Sequence, residues 1–179
     1  MVTSVQTSTA SSSLPGNEPA IVRAWQVLGA VLDPEIPVIS VVDLGLIRFV
    51  RAGEHGGLEV GLAPTYSGCP ATAFIQSQVT AALQEAGFNP VEVIEVLSPP
   101  WTSDWLTSEA RSKLTAYGIA PPAESVASPR QLLRPAPQIH CPRCRSADTV
   151  ETSHFGSTPC KALHRCNACL EPFEYFKCL

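Results

Sequence analysis

Residues 58–87 read LEVGLAPTYSGCPATAFIQSQVTAALQEAG. Leu58, Val60 and Leu62 alternate with Glu59, Gly61 and Ala63, the period of a half-buried strand. Pro64-Thr65-Tyr66-Ser67-Gly68-Cys69-Pro70 is a loop. From about Ala71 to Ala86 the period becomes helical, with Phe74, Ile75, Val79, Ala82 and Leu83 on one face, and Gly87 ends it. Upstream, Leu46–Arg51 is apolar and β-prone, and Gly53-Glu54-His55-Gly56-Gly57 carries a hairpin signal. Further back, Asp33-Pro34-Glu35-Ile36-Pro37 is rich in turn formers. A first helix is expected from Glu18 to Leu32, with Ile21, Trp25, Leu28 and Leu32 as its stripe, Asn17 as cap and Pro34 as stop. Downstream, Pro90–Leu97 reads as a strand and Ser98–Trp105 as a loop. Leu106–Tyr117 is a helix closed by Gly118 and Pro121-Pro122. The order α-β-β-α-β-α predicts a two-layer α/β domain, a small sheet covered on one face by helices.

The chain has 179 residues, enough for one domain and a small module, and 45% hydrophobic content excludes wholesale disorder. Residues 1–129 hold 12 acidic and 5 basic side chains, whereas residues 130–179 hold 4 and 7. One cysteine, Cys69, lies in the first part, and the other six fall between Cys141 and Cys178. Two chemistries in two regions imply a Ser/Thr-rich tail over 1–16, an α/β domain over 17–120, a Pro-rich linker over 121–137 and a Cys-rich module over 138–179. No stretch approaches the roughly 20 apolar residues of a membrane helix, and the N-terminus lacks a secretory pattern. A cytoplasmic setting follows, where thiols stay reduced and clustered cysteines favour metal over disulfides.

Cys141-Pro-Arg-Cys144 and Cys166-Asn-Ala-Cys169 are two Cys-x-x-Cys turns. Together they make a four-thiolate site that suits zinc, and about 40 residues around them are too few to build a core unaided. Spacing alone leaves an iron–sulfur cluster open. Cys160 and Cys178 are left over, read either as small buried residues or as additional thiol ligands. His140, His154 and His164 are further candidate ligands. Arg143, Arg145, Lys161, Arg165 and Lys177 form no basic run, which argues against a nucleic-acid partner.

Cys69 stands between Gly68 and Pro70 at the expected helix start, and a helix N-terminus favours a thiolate. The alternative is a buried cysteine that merely precedes a helix. Asp33, Glu35, Asp43, Thr65, Tyr66, Ser67, Trp101 and Asp104 are the chemistry-bearing residues grouped with it. There is no Ser-His-Asp set, phosphate loop, or flavin or nicotinamide fingerprint, and too few histidines and carboxylates lie at helical spacing for a di-iron site. The first 120 residues hold one histidine, His55, which argues against a His-assisted cysteine hydrolase.

Asp33-Pro34-Glu35-Ile36-Pro37, Val42-Asp43-Leu44-Gly45-Leu46-Ile47 and Pro64–Pro70 resemble the MIP18 (DUF59) family. Pro100–Trp105, Tyr117–Pro122, Phe155–Ala162 and Pro172–Cys178 resemble, more narrowly, the D-subunit family of bacterial phenylacetyl-CoA epoxidases. Asp43 and Tyr66-Ser67 agree with that narrower group. The resemblance implies a small α/β MIP18 domain working in aerobic phenylacetate breakdown, where a multicomponent monooxygenase makes the ring epoxide of phenylacetyl-CoA. It implies an accessory protein, not an enzyme, that helps mature an iron–sulfur or di-iron centre. Cys69 would be a transient ligand of iron or an iron–sulfur cluster, in a loop supported by Asp33, Glu35, Asp43, Thr65 and Ser67. Its partners would be the epoxidase subunits, above all the iron–sulfur reductase. A non-catalytic structural subunit is the alternative, and a homo-oligomer stays open.

Overall fold

The computed structural model describes residues 18–53, 56–122 and 138–177. The expected N-terminal tail, Asn17, His55, most of the linker and Cys178 lie outside these residues. Helix α1 spans Glu18–Leu28 and buries Ala24 and Leu28. It ends four residues earlier than its periodicity suggests. At Ala30 and Val31 the amides bond to carbonyls three residues back, which tightens and closes the helix. Leu32 therefore leaves the stripe, forms a bridge with Ser40 and stays half exposed. The next turn is built by Asp33, whose Oδ1 accepts the amides of Glu35 at 2.9 Å and Ile36 at 2.8 Å.

Strands β1 (Ile47–Ala52) and β2 (Leu58–Leu62) form an antiparallel hairpin in which Ala52 faces Leu58. Helix α2 (Thr72–Glu85) crosses over to β3 (Val91–Glu95), which pairs parallel with β2 in the order β1-β2-β3. β2 is more buried than its alternation suggests, because the ring of Phe49 lies across Gly61, where any Cβ would collide with it. α2 buries Ile75, Val79 and Leu83, one residue per turn. Phe74, expected on that face, is 52% exposed. A single-turn 3₁₀ segment, Ser103–Trp105, precedes helix α3 (Ser108–Tyr117). Thr107 caps α3 by accepting the Ala110 amide at 3.0 Å, and Gly118 closes it at φ 99°.

The C-terminal unit is a sheet of β5 (Thr149–Ser153), β6 (Lys161–Cys166) and β7 (Pro172–Phe176), all antiparallel. It is not a free appendage. β4 (Ile119–Ala120), directly after α3, pairs parallel with β7, so the sheet order is β4-β7-β6-β5. Phe176 and Cys160 join the main core, with Phe176 tilted against Trp101 at 6.1 Å between ring centroids. Trp101 in turn donates its indole N–H to the Leu44 carbonyl at 2.9 Å. A small second core collects Ala120, Cys141, Ala162, Cys166, Phe173 and Tyr175.

Gly45 sits where this packing is tightest. Its φ is +67°, and a Cβ there would lie 2.6 Å from the Trp105 Cβ. Gly45→Ala is expected to cost at least about 2 kcal/mol in a urea unfolding titration, since left-handed strain and overpacking add. Unchanged stability would mean that the loop and the 3₁₀ turn part easily.

Candidate metal centres

The tail builds two matching knuckles. In the first, the Arg145 amide bonds to the Cys141 carbonyl and the Cys141 amide to the Ser146 carbonyl, both at 2.9 Å. In the second, the Cys166 amide bonds to the Glu171 carbonyl at 3.0 Å, and the Cys169 amide points at Cys166 Sγ at 3.5 Å. The residue after each second cysteine, Arg145 and Leu170, adopts positive φ (63° and 64°). All four Sγ atoms lie within 4.8 Å of one another, with Cys141–Cys169 at 3.7 Å and Cys144–Cys166 at 3.5 Å. A tetrahedral ion with metal–sulfur bonds near 2.3 Å needs sulfurs about 3.8 Å apart, so the donor set fits. The Cys169 amide pulls the Cys166 thiol down to about 7, whereas Cys144 and Cys169 are raised, so thiolates at all four positions call for a cation's charge. The histidines do not join this cluster. His140 Nδ1 is 3.2 Å from the Arg145 carbonyl, His154 is exposed, and His164 is buried between Phe173 and Tyr175.

The second site is a cavity of about 30 Å³ at the junction of the two units. Asp33, Glu35, Thr65, Cys69 and Thr72 line it from the first unit, Cys160 and Phe176 from the second, and aliphatic side chains close the rest. Cys69 is half-buried and sits in a turn, its amide bonded to the Tyr66 carbonyl at 3.2 Å. It lies further from the helix than expected. Its carbonyl takes the Thr72 amide, Ala71 is the N-cap, and α2 begins only at Thr72. Burial, and then the neighbouring Cys69, push the Tyr66 hydroxyl up.

Cys160 is 7% exposed, and its sulfur lies 3.0 Å from the Thr158 hydroxyl. The charge of Lys161 and then Thr158, both in the tail, favour the Glu35 carboxylate against the burial that raises it. Burial pushes the Cys160 thiol up. Lys161 is 3% exposed and pairs with Glu174 at 2.8 Å, while Glu174 also accepts the Ser157 amide at 2.8 Å. Asp43 and Ser67 do not line this cavity. Asp43 bonds Lys113 at 2.9 Å and the Ser40 amide at 3.1 Å, bracing α3, and Ser67 borders a neighbouring depression with Trp101.

Burial raises the Asp33 carboxyl above its ordinary value, outweighing the amides of Glu35 and Ile36 and the charge of Lys161. Glu35 is raised by burial and then by Asp33. A carboxyl with a raised folded-state value favours the fold below the ordinary carboxylate range and loses that contribution as pH rises through the raised value. Asp33→Asn keeps an oxygen for the two amides. It is expected to be at least as stable as the wild type near neutral pH, an advantage that vanishes as the pH falls below the carboxylate range. A variant less stable at every pH would show that the charge itself holds the turn.

Over residues 22–96 the chain matches the family described as iron-sulfur cluster assembly protein, and over residues 125–177 the PaaD zinc beta ribbon domain. A Bacillus anthracis DUF59 domain superposes with TM-score 0.51 at 31% identity, covering 54% of this chain and 92% of that one. The Fe-S protein maturation auxiliary factor SufT of Staphylococcus aureus (strain USA300) is 38% identical over 47% of this chain and 96% of its own. Fold and sites thus define the class, an iron–sulfur-assembly α/β domain joined to a four-cysteine zinc ribbon. The Escherichia coli (strain K12) protein provisionally named as the D-subunit of 1,2-phenylacetyl-CoA epoxidase is 46% identical over 90% of this chain and 94% of its own. The chain belongs to the D-subunit family of phenylacetyl-CoA epoxidases, as its motifs led one to expect.

Among the described residues no helix is long and apolar enough to cross a membrane. Sequence pattern does not show that Cys160 and Phe176 line one cavity with Cys69. In the sequence Cys160 stands only as a leftover thiol and a candidate additional ligand.

Proposed function

We propose that this chain is a non-catalytic accessory protein that helps mature an iron–sulfur or di-iron centre of a phenylacetyl-CoA epoxidase. The observation that carries this reading is Cys69, a half-buried thiol on a loop, lining a cavity with Asp33 and Glu35. A thiol so placed can take up and release a metal, whereas the closed four-thiolate cluster holds one permanently. We assign zinc to Cys141, Cys144, Cys166 and Cys169; when bound, it fixes both knuckles and supplies folding free energy. Asp33, Glu35 and Thr65 shape the acceptor loop, and Asp43 and Ser67 support it from outside the cavity. The client is the iron–sulfur reductase of the epoxidase, and the setting is the cytoplasm.

The test uses cells that carry the epoxidase genes but lack this chain. Adding back wild type should restore phenylacetyl-CoA epoxidation, and Cys69→Ala should not. Oxygenase and reductase purified after maturation should keep their activity once the chain is removed. Loss of activity on removal would instead make it a structural subunit, held in fixed ratio with the others.

A further inference from the structure

We propose that Cys69, Cys160 and Glu35 form a second metal site in this chain, which takes a single divalent cation of the iron–cobalt–zinc class and is closed by the C-terminal unit. The inference deepens the accessory reading and rests on Cys69 being a cargo ligand. Three segments far apart in sequence bring these side chains to one cavity: the acidic turn, the loop before α2 and the turn before β6. Two sulfurs and a carboxylate suit a borderline divalent ion; magnesium and calcium would want oxygen throughout. Asp33 is the positioning residue, because its Oδ1 already holds the amides of Glu35 and Ile36 and thereby presents Glu35.

The cavity is about 30 Å³, and one water needs roughly 10–15 Å³ by the same measure, so an ion with one remaining water fits inside it. Among the described residues, the four cysteines of the tail are the group whose ligand atoms lie within 4.8 Å of one another, so Cys69, Cys160 and Glu35 share one cavity but must draw together to hold an ion. Binding releases two thiol protons to solvent and all but one of the ion's waters, and forms two metal–sulfur bonds and one metal–oxygen bond with no change of oxidation state. Cys160 is the contribution of the tail. It is buried and lines the cavity from the turn before β6, so the site is complete only while the C-terminal sheet is docked.

The full chain, purified anaerobically with one zinc per molecule in the tail, is titrated with Co²⁺ and followed by thiolate-to-cobalt charge-transfer absorption. Wild type should bind one further equivalent. Cys69→Ser and Cys160→Ser should each lose about half the band and at least about tenfold in affinity, while Glu35→Gln should keep the band and bind more weakly. Unchanged zinc content and far-UV circular dichroism show that the variants fold. Glu35 is not fully buried, so Glu35→Gln carries the test if Cys160→Ser does not fold. Wild-type binding by Cys160→Ser, or by Glu35→Gln where that variant must decide, overturns the inference. So does a wild type that ignores cobalt but takes up iron and sulfide in equal amounts. If Cys160→Ser binds normally while Cys69→Ser neither binds cobalt nor supports epoxidation, the accessory reading stands and only the composite site falls. If Cys69→Ser supports epoxidation as well as wild type, the accessory reading itself falls.

Discussion

Cys166→Ser is expected to unfold the C-terminal sheet, and a strong chelator should do the same to the wild type. Among the described residues the second core is Ala120, Cys141, Ala162, Cys166, Phe173 and Tyr175, and two of these six belong to the four-thiolate cluster. Structural zinc in comparably small modules supplies apparent free energies of about 10–16 kcal/mol, far more than such a core. The damage should spread beyond the tail. β7 pairs with β4 and carries Phe176 into the main core, so losing the sheet also exposes Trp101 and Cys160. A red-shifted tryptophan emission and rapid amide exchange over residues 149–176 are the expected readouts. A tail that keeps its exchange protection without metal would show that docking on the first unit suffices.

Phe176→Ala should show the second-largest effect. The ring is 1% exposed, packs on Trp101 and lines the cavity. Removing a buried aromatic side chain costs about 3–5 kcal/mol, through lost transfer free energy and the void left behind. That is a large share of a domain's total stability, so the midpoint of chemical unfolding should fall markedly. The variant should keep its tail metal, because Phe176 is not part of the knuckles. A loss below about 1 kcal/mol would mean that the two units are not held by a shared core.

Local chemistry was legible in the sequence. The two Cys-x-x-Cys turns, the Thr72–Glu85 helix and the β1–β2 hairpin all follow from short-range pattern. Errors arose where tertiary demands override propensity. α1 stops at Leu28 although Leu32 continues its stripe, because Leu32 is needed to pair with Ser40. Phe74 looks like core by residue type, but Ile75 takes the inward position of the α2 stripe. The second site was half visible. Asp33, Glu35, Thr65 and Cys69 lie in adjoining elements of one unit. Cys160 reaches them because Ile119 and Ala120 join the sheet of the tail and Phe176 packs on Trp101. A two-residue strand has no periodicity to read, and so the juxtaposition of Cys69 and Cys160 left no trace in pattern or spacing.

The most direct test of the accessory role is the iron and acid-labile sulfide content of the epoxidase reductase, made in cells whose own copy of this chain is replaced by wild type or Cys69→Ser. The account predicts a filled cluster with wild type. It predicts a reductase nearly as empty with Cys69→Ser as with no chain at all, although the variant keeps its zinc. Equal iron and sulfide in the reductase from both strains would contradict it.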